Sequence, residues 1–203
     1  GMFDLYFFTN DIAAVLVSGA GLRDWLEMAA GRYRQLLPNE PVQALLNPEF
    51  SSYNGDVLHG VTYKLDITRP ARFSPKGTQV NAERGRVIDL RYQTQPVDDD
   101  QMFVVATNSY RAHGGGQFPG LQNAERIPLP QRTIRSILSE HIKRGKDLYG
   151  NTPPAWRFAT ASGVAAEFDT SPKAGPLIHA ISTPALTIVG PTASGGLRLR
   201  LDL

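Results

Sequence analysis

Apolar and polar residues alternate strictly over Val61-Thr62-Tyr63-Lys64-Leu65-Asp66-Ile67-Thr68, which places Val61, Tyr63, Leu65 and Ile67 on one side of a predicted strand. Arg86–Tyr92 alternates likewise, so antiparallel pairing of the two is expected, and Met102–Thr107 is a further β-rich stretch. Ile12–Ser18 is β-branched and compact. After Ser18-Gly19 the spacing changes: Leu22, Trp25, Leu26, Ala29, Tyr33 and Leu36 recur at three and four, so a strand leads into an amphipathic helix. Ile134, Ile137, Leu138, Ile142 and Leu148 predict a second long helix, ended by Gly150 and Pro153-Pro154. Beyond it the pattern gives short strands around one short helix. Residues 38 to 60, rich in Pro, Asn, Gly and Ser, read as a loop long enough to border a site. The fold class is α+β: a mixed, largely antiparallel sheet packed with two long helices.

With 203 residues the chain can bury a core as one domain, and its net charge of +2 comes from dispersed Lys and Arg, which argues against a nucleic-acid polymer or an anionic membrane as partner. No apolar stretch approaches the roughly 18 residues of a spanning helix. The absence of cysteine excludes disulfides, thiolate metal sites and thiol nucleophiles. The start, Gly1-Met2-Phe3-Asp4-Leu5, lacks the features of a signal peptide, and the aromatic cluster Phe3–Phe8 reads as a chain cut just ahead of a strand, hence as part of a longer protein.

The richest chemistry lies in Asn108-Ser109-Tyr110-Arg111-Ala112-His113-Gly114-Gly115-Gly116-Gln117-Phe118-Pro119-Gly120. Here a ring, a cation and three glycines emerge together where a strand ends. Glycines let a ligand lie against bare backbone, and Tyr110 offers a flat surface with a polar tip, a combination suited to a planar, hydrogen-bonding ligand such as a nucleobase. Other chemistries fail on spacing. Asp98-Asp99-Asp100 favours a turn over a cation site. His59, His113, His141 and His179 are scattered and form no metal-seeding pair, and His141 reads as a core or edge residue of its helix. Gly114–Gly116 lack the Gly-Lys-Ser/Thr ending of a phosphate loop, and the paired His-x-Thr/Ser motifs of a histidine phosphodiesterase are missing. Trp156 and Phe158 read as core. No phosphoester chemistry is expected from this chain unaided.

The glycine-rich run, Gly60–Ile67 and Asp4-Leu5-Tyr6-Phe7-Phe8-Thr9-Asn10 together resemble the C-terminal domain of the 5'-nucleotidase family, in its bifunctional 2',3'-cyclic-nucleotide 2'-phosphodiesterase/3'-nucleotidase branch. Weaker matches at Ala155–Phe158 and Glu167–Pro172 extend the resemblance over residues 3–203 as a single nucleotide-binding domain. It implies an N-terminal metallophosphoesterase domain in the same polypeptide that holds two divalent metal ions and hydrolyses, no cofactor in this chain, and a periplasmic or cell-surface location. It also implies site residues. Phe8 and Tyr110 would sandwich the base, Asn10 would meet its edge, and the Ser52-Tyr53-Asn54 loop would approach it. Simple 5'-nucleotidases carry a ribose-binding aspartate where this chain has Gly116. The expectation is that Gly114, Gly115 and Gly116 give the ligand bare backbone, that Gly116 makes room for a sugar-borne phosphate, and that Arg111 lies near that sugar or phosphate. The alternative is a non-catalytic nucleotide- or nucleoside-binding module.

Overall fold

A computed structural model describes residues 5–83, 85–121, 123–145, 153–181 and 185–203, the side chains of 179–181 excepted. In chain order the elements are β1 (Ile12–Ser18), α1 (Gly19–Ala30), a 3₁₀ turn (Ser52–Asn54), β2 (Val61–Leu65), β3 (Val87–Tyr92), β4 (Gln95–Pro96), β5 (Met102–Asn108), α2 (Ser109–Ala112), β6 (Glu125–Ile127), α3 (Ile134–Lys143), β7 (Trp156–Phe158), β8 (Ala165–Thr170), a second 3₁₀ turn (Pro172–Ala174), α4 (Gly175–Ile181), β9 (Leu186–Pro191) and β10 (Leu197–Asp202). They form three sheets, ordered β5-β1-β6, β4-β3-β2-β7 and β8-β10-β9. All named pairs are antiparallel except β2 with β7, so the α+β class and its mixed, largely antiparallel pairing stand.

The core forms where the two predicted periodicities meet. Ser18 ends β1 and caps α1, its Oγ accepting from the Gly21 amide at 3.1 Å, so the strand-to-helix switch falls where the sequence places it. Leu22, Trp25, Leu26 and Ala29 turn the apolar face of α1 onto the core, meeting Val61, Tyr63, Leu65 and Ile67 from the β2 segment. On β3 the alternation is broken. Two residues, Asp89 and Leu90, oppose the single Tyr63, a bulge with Asp89 at φ +55° that turns both Val87 and Leu90 inward. Trp156 and Phe158 pack against Tyr33 at ring separations of 6.1 and 5.0 Å, in the core role the sequence assigns them.

Four expectations need correction. The helices are shorter than predicted: α1 spans 12 residues and α3 spans 10. Tyr33 and Leu36 reach the core from the chain beyond α1, where Leu36 bonds through its amide to the Ile67 carbonyl at 2.9 Å. Helix α3 has no buried residue and leaves His141 exposed, because its apolar positions Ile134, Ile137, Leu138 and Ile142 form only a narrow stripe on an otherwise polar surface helix; Leu148 and Gly150 lie outside the described residues. Leu5 to Asn10 form no strand, and Leu5, Phe7 and Phe8 are exposed. By contrast Asp98–Asp100 takes the turn predicted for it, packed on the start of α1, where the Asp99 carbonyl accepts from the Ala20 amide at 3.0 Å. No helix among the described residues is long and apolar enough to cross a membrane.

One charged pair is sealed into this core. Glu27 is 0% and Arg86 1% exposed. The Glu27 carboxylate accepts from the amides of Val87 at 2.9 Å and Arg86 at 3.3 Å, while the Arg86 guanidinium donates to the Ala30 and Tyr33 carbonyls at 2.8 and 2.7 Å, closing the C-terminal end of α1. Burial raises the Glu27 pKa above its ordinary 4.5, against the pull of those amides and of Arg86. Burial also lowers the Arg86 pKa to about 10. Because the folded-state pKa of Glu27 is raised, its protonation contributes stability that is full below the ordinary value of 4.5 and lost as pH rises through the higher folded value. Thermal denaturation against pH is therefore expected to show a fall in Tm beginning above about 4.5 in the native chain and flattened in Glu27→Gln; equal slopes would contradict the assignment.

Candidate functional site

At the end of β5 the Asn108 side chain caps the single-turn helix α2, its Oδ1 accepting from the Arg111 amide at 2.8 Å. The turn throws Tyr110 outward, 44% exposed, and Arg111 inward, 2% exposed. Every N–H of the Arg111 guanidinium finds an acceptor. Nε donates to Asp56 Oδ2 at 2.7 Å and Nη2 to Asp56 Oδ1 at 2.8 Å, a bidentate fork. Nη1 and Nη2 share Asn54 Oδ1 at 3.2 Å each, Nη1 also reaches the Gly115 carbonyl, and Nη2 the Tyr53 carbonyl at 3.4 Å. The guanidinium lies 3.9 Å from the centroid of the buried Phe118 ring. Trp25 packs its edge on Phe118 with centroids 6.2 Å apart and donates Nε1–H to Asp56 Oδ2 at 2.8 Å.

This knot explains the glycines. A Cβ on Gly116, whose φ is +77°, would run into Arg111 Nη1 and Asn54 Oδ1, and one on Gly115 would run into the Tyr110 ring. Gly114 continues the turn by donating its amide to the Arg111 carbonyl at 3.0 Å. Gly116 thus serves the packing of Arg111, and Gly115 the close approach of the Tyr110 ring. At Gly116 the space that a side chain would need is filled by Arg111 and Asn54. The Arg111 charge is paired with Asp56, and its donors are taken up by Asp56, Asn54 and the Gly115 and Tyr53 carbonyls.

Above the knot opens a cleft of about 510 Å³. Its aromatic wall is Tyr6, Phe8, Tyr53 and Tyr110, and its polar lining is Asn10, Asp56, Asn108 and Arg111. Phe8 is 54% and Tyr53 59% exposed. Tyr53 meets Tyr110 edge-on at 6.4 Å and 75°, and Phe8 meets Tyr6 and Phe7 edge-on at 6.4 and 5.7 Å. Asn10 Nδ2 donates to the Tyr6 hydroxyl at 3.1 Å, which steadies the amide. Of the residues singled out in the sequence, Phe8, Asn10, Tyr53, Tyr110 and Arg111 come together here. Asn54 is buried behind the wall as an acceptor for Arg111, and Ser52 is exposed on the 3₁₀ turn outside the lining. His113 turns its Nδ1 to the Ser109 carbonyl at 2.6 Å. Sequence reasoning missed Asp56, Tyr6 and Trp25. Tyr6 stood in a visible aromatic cluster, whereas nothing local marks Asp56 or ties Trp25 to it. The described residues contain no group of three or more His, Cys, Asp or Glu that could hold a metal ion, so the two divalent ions of the resemblance find no ligand set in them.

Residues 2–123 match the family described as 5'-nucleotidase, C-terminal domain. A trifunctional nucleotide phosphoesterase protein of Bacillus subtilis is 38% identical over 95% of this chain and 13% of its own length. A 2',3'-cyclic-nucleotide 2'-phosphodiesterase/3'-nucleotidase of Haemophilus influenzae is 37% identical over 83% of this chain and 27% of its own length. The chain thus spans about a quarter or less of these curated relatives. Among solved structures a 5'-nucleotidase precursor from Thermus thermophilus superposes with a TM-score of 0.56 at 16% identity, covering 79% of this chain and 27% of that one, a likeness of fold alone.

The packing of Gly116 makes a direct prediction. Gly116→Asp combines a left-handed backbone with a clash against Arg111 and Asn54, and is expected to cost at least about 2 kcal/mol, lowering Tm by roughly 4–8 °C in a melt followed by circular dichroism. An unchanged Tm would show that the space beside Arg111 is open.

Proposed function

The chain belongs to the 5'-nucleotidase C-terminal domain family, and on that premise we propose that its aromatic cleft binds the nucleobase of a nucleotide, as the substrate-recognition domain of a metal-dependent 2',3'-cyclic-nucleotide 2'-phosphodiesterase/3'-nucleotidase in nucleotide catabolism. The observation that carries this reading is the cleft of about 510 Å³ between rings that the fold leaves half-exposed, Phe8 and Tyr110. An exposed ring costs the folded chain burial energy, and a planar ligand stacked on it restores that burial. Asn10, which can both donate and accept, reads the base edge. With Arg111 neutralised by Asp56, the cleft suits the uncharged part of the ligand.

The relatives' names support the substrate class, and their greater length supports a division of labour within one polypeptide. Hydrolysis then belongs to an N-terminal metallophosphoesterase domain with two divalent ions, and residues 3–203 act as one recognition domain. The same resemblance supports a periplasmic or cell-surface location.

Isothermal calorimetry tests the reading. A nucleoside and its 3'-nucleotide are expected to bind within about twofold of each other, since no free cation of the knot meets the phosphate, and Phe8→Ala or Tyr110→Ala each to weaken binding roughly 5- to 150-fold through loss of one stacking face. Affinity untouched by both substitutions would move the base out of this cleft.

A further inference from the structure

We propose that Asp56 is a positioning residue for nucleobase binding: by forking onto Arg111 and anchoring to Trp25, it fixes the Tyr53 loop and the Tyr110 turn of the cleft relative to each other. The inference rests on the nucleobase reading of the cleft. Asp56 follows the 3₁₀ turn that carries Tyr53, and Arg111 follows Tyr110 in α2, so the Asp56–Arg111 fork joins the backbones behind the two rings across 55 positions of sequence. Its contacts at 2.7 and 2.8 Å lie at the base of the cleft, with 3% of the Arg111 and 21% of the Asp56 side chain exposed. The third bond, from Trp25 Nε1 at 2.8 Å, ties the carboxylate to the buried face of α1, so the fork cannot slide.

The consequence falls on Tyr110. The Arg111 guanidinium stands 5.6 Å from the Tyr110 ring centroid, and its bonds to the Gly115 and Tyr53 carbonyls hold the backbone on either side of that ring. Without the charge of Asp56, a buried cation would keep only neutral acceptors in a low-dielectric setting and would leave for water, taking α2 and the glycine turn with it. Ring and loop would then have to be ordered by the ligand itself, which weakens binding.

Calorimetric titration with adenosine, on the native chain, Asp56→Asn, Tyr110→Ala and the double variant, tests this, with melts confirming that each is folded at the titration temperature. Asp56→Asn keeps the shape and an acceptor for Trp25 but removes the charge. It is expected to weaken adenosine roughly tenfold in the native background and less than about twofold when Tyr110 is already alanine. A purely structural role would lower Tm and leave the affinity of the folded chain unchanged, and that result overturns the proposal; so do losses that multiply fully in the double variant, which would mean that Asp56 acts independently of the ring. Should Asp56→Asn fail to fold, Arg111→Lys, which keeps a cation but loses the fork, is expected to show the same loss and the same masking by Tyr110→Ala. Native chain that binds adenosine with a Tyr110 effect but no Asp56 or Arg111 effect overturns this inference alone, whereas native chain that binds no adenosine overturns the nucleobase reading as well.

Discussion

A guanidinium removed from water is costly unless its charge and its donors are met, and the Asp56–Arg111 fork meets that constraint beneath the cleft. Much else follows from it. Phe118 supplies the flat apolar floor for Arg111, Trp25 supplies Asp56 with a further donor, Asn54 accepts from both terminal nitrogens, and the backbone at 115 and 116 must come too close for any side chain. α1, the 3₁₀ turn and α2 all converge on this one charge pair, and the rings that line the cleft are carried on its periphery. A second buried guanidinium, Arg86, rests on backbone carbonyls at the C-terminal end of α1 beside Glu27, and there burial lowers the arginine pKa and raises the carboxyl pKa.

Such a design divides the glycine-rich run into two jobs. Tyr110 faces the cleft, while Arg111 and the glycines that follow it face inward and hold the turn shut. A ring on a one-turn helix would ordinarily be mobile; here its neighbour in sequence is locked to a loop far away in the chain. The lock also sets the electrostatics of the site, because a cation paired in this way adds no net charge to the cleft. The proposed division of labour, base recognition here and phosphorus chemistry on a separate metal-binding domain, is consistent with that neutrality.

Local pattern made much of the architecture legible. Alternation over Val61–Ile67 fixed which side chains are buried, and Ser18 marked the switch from strand to helix, because these signals are carried by neighbours in sequence. The same reasoning overran α1 at Tyr33 and Leu36, since apolar spacing cannot tell a helix from a following extended segment that packs on the same core. It likewise missed the Asp89 bulge, which conserves two inward positions by breaking the period. At the site, the resemblance to a known family brought Phe8, Asn10, Tyr53 and Tyr110 to attention, and they share one cleft. What it could not supply was the pairing of Arg111 with Asp56: the two stand 55 positions apart, and no periodicity links them.

The most direct measurement of the central claim is a crystal structure of the chain with a nucleoside soaked to saturation. The account expects base density between the Phe8 and Tyr110 rings, with the Asp56–Arg111 fork intact beneath it and no ligand atom bonded to the guanidinium. An empty cleft beside a nucleoside bound elsewhere, or Arg111 released from Asp56 to meet the ligand, would contradict it.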